Sequence, residues 1–178
     1  MKFNFCLFPA LVLLMCVTPA ICNAADDTLW EFGARSGFSF INKGKNFEMT
    51  SLYLQRDLPW RWNILNGLVL GTRGESAAGV LVGRNVTGFI GSIGPDIFLE
   101  MADIVQLHGG VHLAVLSEKD YHTRDFGGRF QFINHGGLSF RIGKHLNAGY
   151  RYQHMSNADI YDNNPGLNLH MLEIGYRF

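Results

Sequence analysis

Residues 168–178 read N-L-H-M-L-E-I-G-Y-R-F, and their character alternates with a period of two. Counting back from Phe178 in steps of two gives a face that is apolar except at His170, whereas Arg177 and Glu173 share the other face with small or polar neighbours. A strand in a soluble sandwich can alternate in the same way. However, an alternating strand that ends on an aromatic residue is typical of bacterial outer-membrane barrels.

The beginning of the chain points to the same compartment. Lys2 supplies a positive charge, residues 6–17 form a mostly apolar run interrupted by Pro9, and Cys22-Asn23-Ala24 offers small residues for cleavage. Such a run is too short to be a membrane-spanning helix. We therefore expect a secretory signal peptide over 1–24 and one barrel domain over 25–178, located in the cell outer membrane.

Composition excludes several classes of function. All three cysteines lie in the predicted leader, so the mature chain has no thiolate nucleophile, no disulfide and no cysteine-based metal site. Without Lys2 it carries 14 Lys and Arg against 15 Asp and Glu, a net charge of −1, and nothing suggests nucleic acid as a partner. The 21 glycines and the 11 phenylalanines that follow the predicted leader suit an all-β barrel, in which aromatics lie at the interfaces.

The pattern along the chain predicts eight strands. Their expected ranges are 29–40, 47–58, 62–73, 86–101, 104–116, 129–142, 146–156 and 168–178. We interpret Pro59-Trp60 as a turn, 74–85 as a surface loop and 117–125 as an outer loop. The expected architecture is an all-β, eight-stranded antiparallel up-and-down transmembrane β-barrel. With both termini in the periplasm, the loop between strands seven and eight would lie outside the cell.

Parity assigns a side of the barrel to each residue of the seventh strand. Arg151 and Gln153 belong in the lumen of a small barrel, whereas Tyr150 and Tyr152 belong in the lipid-facing aromatic girdle. His154 and Ser156 share the parity of the tyrosines and therefore point towards lipid. Polar groups that face lipid are costly and tend to be functional.

His154 and Ser156 could form a nucleophile and base. Residues two apart in a strand lie on one face about 6.6 Å apart, and their side chains can lean together to hydrogen-bonding distance. Ser–His pairs of this kind catalyse acyl transfer. Asn168 has outward parity on the neighbouring strand, so three polar side chains converge on the lipid face of one hairpin.

The sequence H-M-S-N-A at 154–158, the N-P-G of the following loop and the aromatic terminus resemble the lipid A 3-O-deacylase (PagL) family of outer-membrane hydrolases. The resemblance covers the last quarter of the chain. It implies that Ser156 and His154 are catalytic and that Asn168 stands where other members have an orienting acid. It also implies that Asn157 is linked to the oxyanion hole and that Phe132 matches an upstream phenylalanine. The implied substrate is the lipid A of lipopolysaccharide, with outer-membrane lipids as surroundings.

Several alternatives stay open. Asp159 or Asp162 could replace Asn168 as the third catalytic member, and a phospholipase would be a variant of the same reaction class. A non-catalytic barrel acting as adhesin or scaffold is the main alternative function. We expect no cofactor and no metal, because His108 and His112 share parity but lack a third ligand in the sequence. Cations in or near the outer loops, namely Arg73, Arg84, Lys119 and Arg124, could hold lipopolysaccharide phosphates. The oligomeric state is left open.

Overall fold

The computed structural model describes residues 29–39, 47–122 and 124–178, and these form a closed antiparallel barrel in the order β1 to β8. The strands are β1 Trp30–Phe38, β2 Phe47–Leu65, β3 Leu68–Gly83, β4 Val86–Met101, β5 Val105–Leu116, β6 Phe130–Ile142, β7 Leu146–Ser156 and β8 Leu167–Arg177. This confirms the predicted fold class. The predicted signal peptide lies outside the described residues, as does Phe40.

Closure of the barrel depends on the terminal strand. β8 pairs with β7 on one side and with β1 on the other, where Phe38 lies opposite His170. Phe178 follows β8 and exchanges two backbone hydrogen bonds with Trp30, at 2.9 and 3.0 Å. Its ring is exposed on the outside of the barrel. The terminal aromatic residue therefore completes the seam between the first and last strands.

Tight turns join the strands at one end of the barrel and at the β3–β4 connection. Arg84-Asn85 and Ala102-Asp103 each place two successive residues at positive φ, the conformation of hairpin turns that match the twist of the strands. Gly67 and Gly143, also at positive φ, serve the other two short turns. In the described part of the chain, no helix is long and apolar enough to cross a membrane.

Two predicted connections are wrong. Pro59-Trp60 lies inside β2, which continues to Leu65, because a register shift between Asp57 and Arg61 accommodates a proline that has no N–H to donate. The predicted surface loop 74–85 is mostly the second half of β3. The small residues in this range allow a close approach of strands: a Cβ on Gly79 would lie 2.2 Å from the Thr50 carbonyl oxygen.

The two faces of the barrel wall differ in the way parity predicts for a membrane protein. Large apolar side chains point outward, and Phe89 and Leu172 are 72% and 70% exposed. The lumen is filled by charged and polar groups: Arg151 is fully buried and donates two hydrogen bonds to Glu75, at 3.1 and 2.9 Å. Arg35 adds a third contact to the same carboxylate at 2.8 Å. A polar interior and an apolar exterior are expected when lipid is the solvent.

A buried apolar cluster fills the lumen at the end where the long loops lie. Phe47, Tyr121 and Phe126 pack edge to face, with ring centroids 5.4 to 5.9 Å apart. Met155 and Leu167, from the outer ends of β7 and β8, belong to the same cluster. Burial raises the pKa of the Tyr121 phenol to about 12. This cluster supports the loops 117–129 and 157–166 that border the candidate site.

Candidate active site

The candidate site lies on the outer face of β7 and β8, where polar side chains interrupt the apolar exterior. Arg151 and Gln153 point into the lumen, and Tyr150 and Tyr152 are about two-fifths exposed on the outside. His154 and Ser156 continue the outward row and are half-buried. The predicted sidedness of this strand is therefore confirmed, and both side chains are on the outer face of the barrel.

His154 and Asn168 form the central contact. They lie directly opposite each other in the β7–β8 register, and His154 Nδ1 is 2.6 Å from Asn168 Oδ1. Because the amide oxygen can only accept, Nδ1 carries the proton, and Nε2 is left with the lone pair of the neutral imidazole. This is the tautomer that a general base for a hydroxyl requires.

Ser156 ends β7 on the same face as His154. It lies opposite Phe132 of β6, whose ring packs edge to face with Phe130 at a centroid distance of 5.3 Å. Among the described residues, no hydrogen bond joins the Ser156 hydroxyl to His154. The structure thus places Ser156 next to Phe132 on the neighbouring strand and leaves the Ser156 hydroxyl without a hydrogen bond to the imidazole.

Asn157 organises the loop that follows Ser156. Its side chain is fully buried, and Nδ2 donates to the carbonyl oxygens of Phe126 and Asn163, at 2.8 and 2.7 Å. Its backbone N–H donates to Asn164 Oδ1 at 3.1 Å. Since both amide hydrogens are used within the loops, the Asn157 side chain has no donor left for a substrate.

The loop acids considered as alternatives to Asn168 lie elsewhere. Asp159 accepts a hydrogen bond from Asn164 Nδ2 at 2.9 Å and so helps to fix the loop. Asp162 is exposed. Within the described residues neither carboxylate contacts His154, whereas Asn168 does.

A cavity of about 270 Å³ opens beside the imidazole. Its walls include Ser39, Arg124, Tyr152, His154, Asn168 and His170. Gly166 forms the roof over the histidine: a Cβ at this position, which has a φ of +61°, would lie 2.9 Å from His154 Cε1. Arg124 donates to the Gly166 carbonyl and thereby connects the two long loops at the edge of the cavity.

Sequence reasoning did not single out His170 as a site residue. The side chain lies on the same outward face, where Tyr150 Oη is 2.6 Å from His170 Nδ1 and the Tyr152 ring packs against its edge at 5.2 Å. Its parity in the terminal strand could have indicated it, because it is the one polar residue on the apolar face of 170–178. It extends the polar strip deeper along the barrel wall.

The remaining histidines of the strands face the lumen. One lumen cluster brings together three side chains of the kinds that bind metals, with their ligand atoms within 4.8 Å of one another: Asp96, His112 and His135. The sequence had not indicated that Asp96 and His135 lie beside His112. However, His112 already contacts Asp96 at 2.8 Å, and the Arg73 guanidinium lies 3.8 Å from the same carboxylate. A neighbouring fixed cation disfavours a metal ion there. His108 instead contacts Glu173 at 3.3 Å.

Comparison with known proteins identifies the family and the fold of this chain. The model of the family "Lipid A 3-O-deacylase (PagL)" matches residues 48–177, most of the chain. The lipid A deacylase PagL of Bordetella bronchiseptica is 36% identical over 72 residues, which are 40% of this chain and 40% of that protein. The match therefore spans less than half the length of this curated relative.

Two solved structures share the fold. The crystal structure of the outer membrane enzyme PagL superposes with a TM-score of 0.71 at 19% identity and covers 82% of this chain and 97% of that one. The outer membrane protein Ail of Yersinia pestis reaches a TM-score of 0.51 at 16% identity, over 85% and 100% of the two chains. At these sequence identities, the superpositions show only that the chains share the barrel fold. Because the family model matches most of the chain, this outer-membrane barrel belongs to the lipid A 3-O-deacylase (PagL) family.

Proposed function

We propose that this protein hydrolyses the 3-O-linked acyl ester of lipid A in the outer leaflet, with Ser156 as nucleophile and His154 as base. The observation that carries the proposal is the 2.6 Å contact between His154 Nδ1 and Asn168 Oδ1 on the lipid-facing surface of a family member. A polar pair has little reason to face lipid unless it acts on a lipid. The site would receive its substrate by lateral diffusion.

The reaction would follow the order of other serine esterases. His154 Nε2 takes the Ser156 hydroxyl proton as Oγ attacks the ester carbonyl carbon, and the tetrahedral intermediate collapses when that proton passes to the leaving sugar oxygen. Water then attacks the acyl-serine, gives its proton to His154 and releases the fatty acid while Ser156 regains its proton. The Ser156 side chain must rotate towards His154 for the first step, as is common when substrate tightens an unliganded site.

Asn168 would act as a positioning residue. Its oxygen holds Nδ1–H and so keeps Nε2 free as the base, as asparagine does in Cys-His-Asn hydrolases. It cannot stabilise the imidazolium by charge, because an amide is neutral. The pair therefore supports catalysis through orientation alone.

The oxyanion would be held by the turn after Ser156. Ala158 and Asp159 have φ values of 53° and 62°, and in the described structure their N–H groups donate to no other group. Asn157 fixes this turn through its three hydrogen bonds to the two loops. We assign Asn157 a role in shaping the oxyanion hole, with backbone amides as the donors. Phe132 and Phe130 offer an apolar surface beside Ser156 for the acyl chain.

The test is mass spectrometry of lipid A after incubation with the refolded protein in detergent. We expect loss of the one acyl chain ester-linked at position 3 and no loss with the Ser156→Ala variant. Unchanged lipid A with a correctly folded barrel would overturn the proposal and favour an adhesin or scaffold. Release of fatty acid from phospholipid but not from lipid A would identify a phospholipase instead.

A further inference from the structure

Arg124 is a half-buried cation at the edge of the candidate site, and no acidic side chain of the described part of the chain pairs with it. Its Nη1 donates to the Gly166 carbonyl, and its guanidinium lies 5.8 Å from the Phe47 ring centroid. Across the described residues no carboxylate lies within ion-pair distance of it, and its Nε and Nη2 donate to none of them. A partly desolvated charge without a counterion is unfavourable.

Arginines of the lumen are paired in charge with carboxylates. Arg35 and Arg151 share Glu75, at 2.8 and 2.9 Å, and Arg177 reaches Asp57 at 3.1 Å. Arg124 differs from them, because within the described ranges it has no carboxylate partner and it lines an open cavity. Burial lowers the pKa of its guanidinium, as expected where no acid compensates for desolvation.

A second group in the same cavity is also unsatisfied. Ser39 is 1% exposed and lines the cavity, and its hydroxyl has no hydrogen-bond partner among the residues that the structure describes. An unpartnered hydroxyl and an unpaired guanidinium in one cavity are suited to an anion rich in acceptor oxygens. Guanidinium groups bind phosphate through two parallel N–H donors, a geometry that an ammonium group does not offer.

We propose that Arg124 binds a phosphate group of the glycolipid substrate and so determines which sugar ester lies against Ser156. The inference rests on the proposed lipid A deacylase function. Arg124 and His154 line one cavity, so a bound phosphate would fix the sugar ring relative to the imidazole and the nucleophile. Arg124 is thus a specificity residue, distinct from the pair that carries out the chemistry.

The test compares phosphorylated lipid A with lipid A from which the phosphates have been removed, each in a detergent without other phosphorylated lipids. For the wild-type protein we expect kcat/KM to be about 10- to 100-fold higher with the phosphorylated substrate, as for the loss of one charge-assisted contact. Arg124→Gln keeps a donor for Gly166 but loses the charge. It should lower kcat/KM for the phosphorylated substrate to the dephosphorylated level, mainly through KM.

Lys119 was also a candidate from the sequence, but it is exposed and, unlike Arg124, is not part of the cavity wall. Lys119→Gln is therefore the matched control, because it removes one cation from the same loop without changing the cavity. It should preserve the preference. If Arg124→Gln slows both substrates equally, Arg124 only holds Gly166, and the inference is overturned. If the wild type acts equally on both substrates, phosphate recognition is overturned while the deacylase proposal stands. If the wild type deacylates neither, the proposed function itself fails.

Discussion

The protein contains two polar histidine contacts that look alike chemically and lie on opposite sides of one barrel wall. In the lumen, His112 contacts Asp96 at 2.8 Å, and both side chains are almost completely buried. On the outer face, His154 contacts Asn168 at 2.6 Å beside a cavity and two residues from a serine. Judged by residue type alone, the histidine–aspartate pair is the better catalytic candidate.

The difference between the two contacts is access. His112 is enclosed by charged lumen groups, with the Glu75 carboxylate 3.6 Å from its Nδ1, so its contacts stabilise the barrel. His154 meets the lipid surface because its parity in β7 is the opposite of that of Arg151. Position relative to the wall, more than the identity of the partner, separates a structural histidine from a candidate base.

The largest expected effect is the difference in deacylation rate between variants of the outer-face His154 and of the lumen His112. Ser156→Ala and His154→Ala should each reduce deacylation by about 10³-fold or more, because removing either half of a nucleophile–base unit costs nearly the whole effect. His112→Ala should retain most of the wild-type rate per folded barrel, since it touches no substrate. The measurement is initial rates of fatty acid release. A loss of activity in His112→Ala equal to that in His154→Ala would contradict the assignment.

The next largest effect concerns the contribution of the lumen ion pairs to the free energy of unfolding. Arg151→Ala removes one of the two guanidinium groups that pair with the buried Glu75 and Glu173, leaving Arg35 as the other, and should lower the free energy of unfolding by about 3–5 kcal/mol. Arg141→Ala removes a partly exposed pair with Glu100 and should cost about 1 kcal/mol or less. Urea unfolding in detergent, followed by gel mobility, measures both. Equal costs would show that the lumen network is not what stabilises the barrel.

The smallest effect concerns the neutral partner of His154. Asn168→Ala should slow deacylation about 10- to 100-fold, or about 1.4–2.7 kcal/mol of activation free energy, because the imidazole loses its orienting acceptor. Asn168→Asp should preserve or raise the rate by adding charge behind the imidazole. Steady-state kinetics with both variants measures this. An Asp162→Asn variant as inactive as His154→Ala would instead make a loop acid the third member.

Most of the fold could be predicted from the sequence, because a strand that faces lipid on one side and the lumen on the other alternates apolar and polar residues with a period of two. The predicted bounds of β7 were those observed, and the terminal strand was displaced by one residue. The prediction failed in β2 and β3, where Pro59 and the range 74–85 resemble connections. There a bulge and a close strand approach, which depend on neighbouring strands, override the local pattern.

At the site, parity and spacing were enough to place His154, Ser156 and Asn168 on one hairpin. Contacts between distant loops were not predictable, because residues such as Phe126 and Asn157 are brought together only by barrel closure. The hydrogen bonds that both Asn157 amide hydrogens make, from which we infer that the oxyanion donors are backbone amides, are contacts of the same kind. The position of His135 beside Asp96 and His112 in the lumen was not predictable for the same reason, because the three residues come from different strands.

The central claim is that the outer-face histidine activates Ser156. Its most direct test is covalent labelling of the refolded protein with a lipophilic fluorophosphonate, followed by peptide mass spectrometry. We expect one labelled peptide, modified at Ser156, with labelling lost in His154→Ala and retained in His112→Ala. Label on another residue, or labelling of Ser156 that survives His154→Ala but not His112→Ala, would contradict it.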